Sequence, residues 1–217
     1  MKVTNPLILL IILSSFGVGF YFYPQLPDVM ASNWNAQGQV DGYISKTWGV
    51  FLMPIISFIV ALLFLLIPKI DPLKENIAKF RKYFDGFIIL ILAFLFYIYL
   101  LTIIWNLGNT FNMTYVIIPA LSVILYYAGV LIEKAKRNWF VGIRTPWTLS
   151  SEEVWDKTHK IGAKLFKISA FLALFGLLFG KYEYATLLAI IPVIFSSIFT
   201  IVYSYFIYQK LKHEKHI

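Results

Sequence analysis

Glu152, Asp156 and His159 are the residue types from which hydrolytic or metal chemistry is built, and they fall within one short stretch. Carboxylates serve as general bases, and together with an imidazole nitrogen they ligate zinc. Their spacing of i, i+4 and i+7 predicts one shared helix face, with Val154, Trp155, Thr158 and Ile161 on the other. A metal centre asks for more ligands. No second histidine or H-E-x-x-H stands nearby, and His213 and His216 lie in the carboxy-terminal tail. The three residues are therefore metal candidates set against a competing reading as a solvated polar face. The chain has no cysteine, which excludes a disulfide framework, an Fe–S cluster, a thiolate zinc site and a cysteine nucleophile. It also lacks the G-x-x-x-x-G-K-[ST] phosphate loop. No catalytic residue and no cofactor is expected, and the chain reads as a non-enzyme.

Stepping outward, these residues need a helix to carry them. Ser150-Ser-Glu-Glu153 is an S-x-x-E capping box that predicts a helix start. The helix is expected to be amphipathic, to lie on the inner leaflet and to turn into a membrane span. Before it comes Arg137-Asn-Trp-Phe-Val-Gly-Ile-Arg-Thr-Pro-Trp-Thr148, with Gly142 and Pro146 as breakers. Its aromatics Trp139, Phe140 and Trp147, flanked by Arg and Lys, suit a membrane interface. Arg144 is expected to pair with Glu153 or Asp156.

Composition supplies the frame. Of 217 residues, 59% are hydrophobic and 14% charged, against about 45–50% and 25% in soluble domains. The excess falls in six blocks, approximately 5–23, 49–67, 86–105, 115–132, 164–180 and 185–207. Each approaches the roughly 20 residues a spanning helix needs. The first block is longer than a signal-peptide core and is followed by no clean A-x-A site, so it reads as a retained helix. The expected fold is an all-α integral membrane protein with six transmembrane helices. A small external cap loop spans 24–48. Three sections are expected: a helical hairpin with its external loop at 1–67, a central hairpin at 68–132, and an internal loop with the last two spans at 133–217.

Orientation follows from charge. Of the 19 lysines and arginines, all but Lys46 and Lys181 fall at the N-terminus, in 68–85, in 133–167 or in the tail. Lysine and arginine concentrate on the cytoplasmic side, so both termini are expected there and the helix count must be even. The net charge of +8 is thereby assigned to the lipid bilayer rather than to nucleic acid. No Asp, Glu, Lys, Arg or His sits mid-block, which argues against a proton relay. Pro54, Pro119 and Pro192 lie inside blocks and are candidate hinges. Gly176 and Gly180 form a GxxxG, expected to bring helices close.

The external loop, Pro24 to Trp48, has turn formers at Asn35, Gly38, Asp41 and Gly42. Short extended segments are expected at Val29–Trp34 and Gln39–Tyr43.

Two stretches carry a family resemblance. Asn138 to Thr148, N-W-F-V-G-I-R-T-P-W-T, followed by Ser151 to His159, S-E-E-V-W-D-K-T-H, resembles the SdpI family of immunity proteins. The external stretch resembles the DUF1648 domain that often precedes it. The matching internal positions are Asn138, Gly142, Arg144, Thr145, Pro146, Trp147, Thr148, Trp155 and His159. The matching external ones are Pro27, Trp34, Asn35, Gly38, Asp41 and Lys46. Asn33 stands where relatives often carry a histidine. The resemblance implies a multi-pass plasma-membrane protein that resists a secreted, membrane-active peptide toxin. It also implies a receptor that captures a cytoplasmic autorepressor. The external positions would then face toxin and the internal ones a cytoplasmic partner. The alternatives are a small transporter or flippase, and a membrane-embedded hydrolase using Glu152, Asp156 or His159.

Overall fold

The computed structural model describes residues 4–214; Lys2, Lys215 and His216, which figure in the charge and histidine patterns, lie outside the described residues. Six helices are long and apolar enough to cross a membrane. They are α1 (Thr4–Phe22), α2 (Lys46–Ile70), α4 (Arg81–Asn106), α5 (Met113–Lys134), α7 (Glu152–Gly176) and α8 (Tyr182–Glu214). Two short helices, α3 (Lys74–Lys79) and α6 (Pro146–Ser150), two strands, β1 (Val29–Trp34) and β2 (Val40–Ser45), and 3-10 turns at Tyr23–Gln25 and Leu177–Phe179 lie between them. The strands pair antiparallel, close to the extended segments expected from the sequence.

Each long helix turns apolar side chains outward: Leu9, Leu63, Ile104, Val123, Phe171 and Phe195 are among the exposed ones. Only 22–33% of the spanning windows is buried inside the protein. In water such a surface would aggregate; in hydrocarbon it is solvated. The chain is accordingly a multi-pass protein of the plasma membrane.

Inside a bilayer, apolar area gives helices no net reason to associate, so close packing and interhelical hydrogen bonds hold them together. The α5, α7 and α8 contacts follow this rule. A Cβ on Gly176 would come within 2.9 Å of the Ala185 Cα, and one on Gly129 within 2.8 Å of the Ala163 carbonyl oxygen. Ala173, Ala185 and Ala189 are buried at the same interface, and the Ser169 and Ser196 hydroxyls meet at 3.3 Å. The GxxxG reading is half corrected. Gly176 does bring α7 against α8, but Gly180 lies beyond the helix with φ 65°, so the pair does not share a helix face. Helices α2, α5 and α8 continue through Pro54, Pro119 and Pro192.

The start of α7 differs from expectation in two ways. Its N-cap is Ser151, whose hydroxyl accepts from the Val154 amide at 3.4 Å. Ser150 ends α6 instead, its hydroxyl donating to the Trp147 carbonyl. The amphipathic segment is also not a separate element: the helix runs unbroken from Glu152 to Gly176 and packs on α5 and α8.

Candidate functional site

The two ends of the bundle carry the two motif-bearing loops. At one end β1 and β2 form a hairpin wedged among helix termini. Its tip is built by Asn35. The Asn35 carboxamide oxygen accepts from the Gln37 and Gln39 amides, both at 3.0 Å, an Asx-type turn. Gly38 follows at φ 76°, a region only glycine enters without strain. A side chain there would also collide with Asn112, 2.4 Å away. Asn112 is itself the N-cap of α5 and donates to the Gln37 carbonyl at 2.7 Å. Asn106, at the end of α4, treats β1 as a strand neighbour would. Its oxygen accepts from the Ala31 amide at 2.8 Å, and its nitrogen donates to the Ala31 carbonyl at 3.0 Å. Lys46 pairs with Asp28 at 3.1 Å, and its ammonium lies over the Tyr23 ring. Trp34 meets Trp105 edge to face, with 5.7 Å between ring centres.

Of the external candidates, Asn35, Gly38, Trp34 and Lys46 are thus engaged in holding the cap, while Pro27 and Asp41 are exposed. The outward apolar surface of this end comes from Val29, Tyr43 and Trp48, which the motif positions do not include.

At the opposite end, residues 135–151 fold back over the bundle. Asn138 is buried and organises the first bend. Its oxygen accepts from the Phe140 and Val141 amides, and its nitrogen donates to the Lys136 and Val141 carbonyls at 2.8 Å each. Gly142 then takes φ 117°, and a Cβ there would lie 2.4 Å from the His159 Nε2. Thr145 caps α6 in a reciprocal box with Thr148, within T-P-W-T. The Thr148 hydroxyl also donates to the Ile143 carbonyl at 2.8 Å. The Thr145 hydroxyl meets that of Ser204 on α8 at 3.0 Å.

His159 anchors this loop. It is buried, stacked on Trp155 at 3.9 Å with planes 17° apart. Its Nδ1 lies 2.8 Å from the Trp155 carbonyl, and its Nε2 accepts from the Ile143 amide at 3.0 Å. A carbonyl can only accept, so the network assigns a neutral imidazole with its hydrogen on Nδ1. Both nitrogens are committed. The expected polar face of Glu152, Asp156 and His159 is corrected accordingly. At 3.6 residues per turn, position 159 lies about 40° from 155 and about 60° from 156. The ring went with the tryptophan. Glu152 and Asp156 are exposed and face Arg137 at 3.7 Å and Lys136 at 3.6 Å. Among the described residues no group of three His, Cys, Asp or Glu is placed to hold a metal ion. Arg144 donates to the Trp139 carbonyl at 2.7 Å, whereas the Glu153 and Asp156 carboxylates expected to receive it take Lys157 and Lys136.

Two contributors were not anticipated. Asp71, buried just beyond α2, accepts from the Leu73 amide at 2.6 Å and from the Trp139 amide at 2.9 Å. Asn76 donates to the Arg137 carbonyl at 2.9 Å. Together they tie the α2–α4 connection to the loop. The D-P step at 71–72 was a visible signal, since the residue before proline leaves helical geometry and an aspartate there readily caps a turn. Among the internal candidates, Asn138, Thr145, Thr148, Trp155 and His159 are buried, and Arg144, Pro146 and Trp147 reach the surface in whole or part.

Beneath the loop lies a cavity of about 400 Å³. Phe64, Phe87 and Leu131 line its apolar depth, and Gly142 and Arg144 come from the loop above it.

The fold and these two tied loops define a class: a six-helix membrane protein with a capped end and a roofed end. Residues 134–204 match the SdpI/YfhL protein family, and residues 10–58 match a domain of unknown function, DUF1648. The chain is thus similar to the SdpI/YfhL family over the roofing loop and the helices that follow it, and to DUF1648 at the hairpin end. It is 27% identical over 211 residues to the immunity protein SdpI of Bacillus subtilis (strain 168), covering 97% of this chain and 99% of that relative. No solved structure matches it.

Proposed function

We propose that this chain is a membrane immunity protein that protects the cell making it from a secreted, membrane-active peptide toxin. The observation that supports this most is the likeness, from end to end and through both loops, to a relative named as an immunity protein. The charge pattern supports a cytoplasmic roofed end and an external hairpin. In that orientation the hairpin offers Val29 and Tyr43, and the start of α2 offers Trp48, to the outside, an apolar and aromatic surface suited to an amphipathic peptide. The capture of a soluble autorepressor is assigned to the roofed end, where Pro146 and Trp147 reach the surface. The buried motif residues act by holding that surface in place.

The reading is of a binding protein rather than an enzyme. His159, the one histidine near the carboxylates, spends both ring nitrogens on the loop backbone, which leaves none for acid–base work. The test is survival of toxin-sensitive cells expressing the full chain under challenge by a secreted membrane-active peptide. Wild type is expected to protect, and Tyr43→Ala to protect less at equal membrane abundance. A well-expressed wild type that gives no protection contradicts the proposal.

A further inference from the structure

We propose that the cavity under the SdpI-family loop holds one acyl chain of an anionic phospholipid, whose phosphate sits on the Arg144 guanidinium. The cavity is formed between α2, α4, α5, α7 and α8 and is roofed by residues 140–145. About 400 Å³ falls within the roughly 300–1,000 Å³ of small-molecule sites. Arg144 lines it yet is exposed, so the guanidinium stands where the cavity opens. Its one hydrogen bond runs from Nη1 to the Trp139 carbonyl. A guanidinium carries five N–H donors in a fork matched to phosphate oxygens. Among the described residues the other donors have no partner, and the exposed rings of Trp139 and Phe140 stand in the same loop, side chains of a type that favours the depth of lipid headgroups.

The chemistry of the walls selects among occupants. A peptide in this space would need partners for its backbone amides and carbonyls. The hydroxyls that line the cavity are already used. Thr145 meets Ser204, Ser197 donates to the Val193 carbonyl, and Thr200 donates to the Ser197 carbonyl. The rest of the helix lining is phenylalanine, leucine, isoleucine and alanine. An acyl chain asks nothing of such walls, and one charge at the mouth matches one phosphate. The six-helix surface lies in lipid, so this occupant is always present.

The inference does not depend on toxin immunity. It is tested on the full chain in detergent by native mass spectrometry, with phosphatidylglycerol and phosphatidylcholine of identical acyl chains. Wild type is expected to retain one phosphatidylglycerol with about tenfold preference, because the ammonium of choline offsets the charge of its own phosphate and repels the guanidinium. Arg144→Gln is expected to bring that preference near unity while a lipid is still retained. Ala128→Phe, which fills the cavity from α5, is expected to lose both lipids. Ala128→Leu serves where the larger variant does not fold. Equal retention of the two lipids by wild type overturns the proposal, as does retention unchanged by filling the cavity. Tighter retention of an apolar peptide than of phosphatidylglycerol, abolished by the same filling, overturns it too and assigns the space to a peptide.

Discussion

At the hairpin end, the polar groups of an irregular segment are met by side chains from helices far away in sequence, whereas at the roofed end they are met mainly by the loop itself and by the helix that follows. Asn106 reaches Ala31 across 75 positions, and Asn112 reaches Gln37 across the same separation. Asn138 serves residues two or three positions away, and His159 reaches Ile143 across 16. The difference teaches where each end is vulnerable. The cap depends on two helices, α4 and α5, being in place, so it is a consequence of the bundle. The loop depends on α7, with which it is contiguous, so it and the bundle form together.

That contrast can be broken most severely at its two left-handed glycines. Gly142→Ala places a Cβ on the His159 ring and forces an unfavourable backbone; the expected loss is about 3 kcal/mol, read as a lowered melting temperature of the whole protein in detergent. Gly38→Ala, with similar geometry, is expected to cost less than half as much. It should show chiefly as protease cleavage within the hairpin while the bundle melts nearly as wild type. Equal global destabilisation by the two would erase the distinction.

His159→Ala comes next, at about 2–3 kcal/mol, because it leaves the Ile143 amide and the Trp155 face without partners. Asn106→Ala orphans both backbone groups of Ala31 and is expected to cost about 1–2 kcal/mol, confined to the hairpin. Asp71→Asn keeps one acceptor and gives up the other, sharpening the link between Trp139 and the α2–α4 connection, at about 1 kcal/mol. Smallest is Asp156→Asn. Its pairing with Lys136 spans 3.6 Å between side chains more than half exposed, and such pairs contribute about 0–1 kcal/mol. A large loss of protection from that change alone would revive a chemical role for the carboxylates.

The helices were legible because hydropathy over 20 residues is a bulk property that no neighbour overrides. The hairpin was legible through its turn formers, since Asn35 and Gly38 act locally. What holds the hairpin down was not, because nothing local marks Asn106 or Asn112 as a partner for backbone 75 residues away. At the other end, the motif positions were visible, but the fastening done by the buried ones was not. His159 sits at the edge of the apolar arc, and only the neighbouring loop decides which way such a ring turns. Arg144 was expected to seek a carboxylate. The carbonyl of Trp139 in the same loop takes its hydrogen bond instead, and Lys136 and Lys157 already pair with the acids. The motif therefore reads as architecture: most of its polar side chains are spent on the backbone of the loop that carries them.

Amide hydrogen exchange of residues 138–148 in the reconstituted protein tests that claim most directly. If the motif fastens the loop, the Val141 and Ile143 amides, which donate to Asn138 and His159, exchange as slowly as those of the spanning helices. Protection at Ile143 is then lost in His159→Ala. Exchange at Ile143 as fast as in an open chain, or protection unchanged by that substitution, would contradict the account.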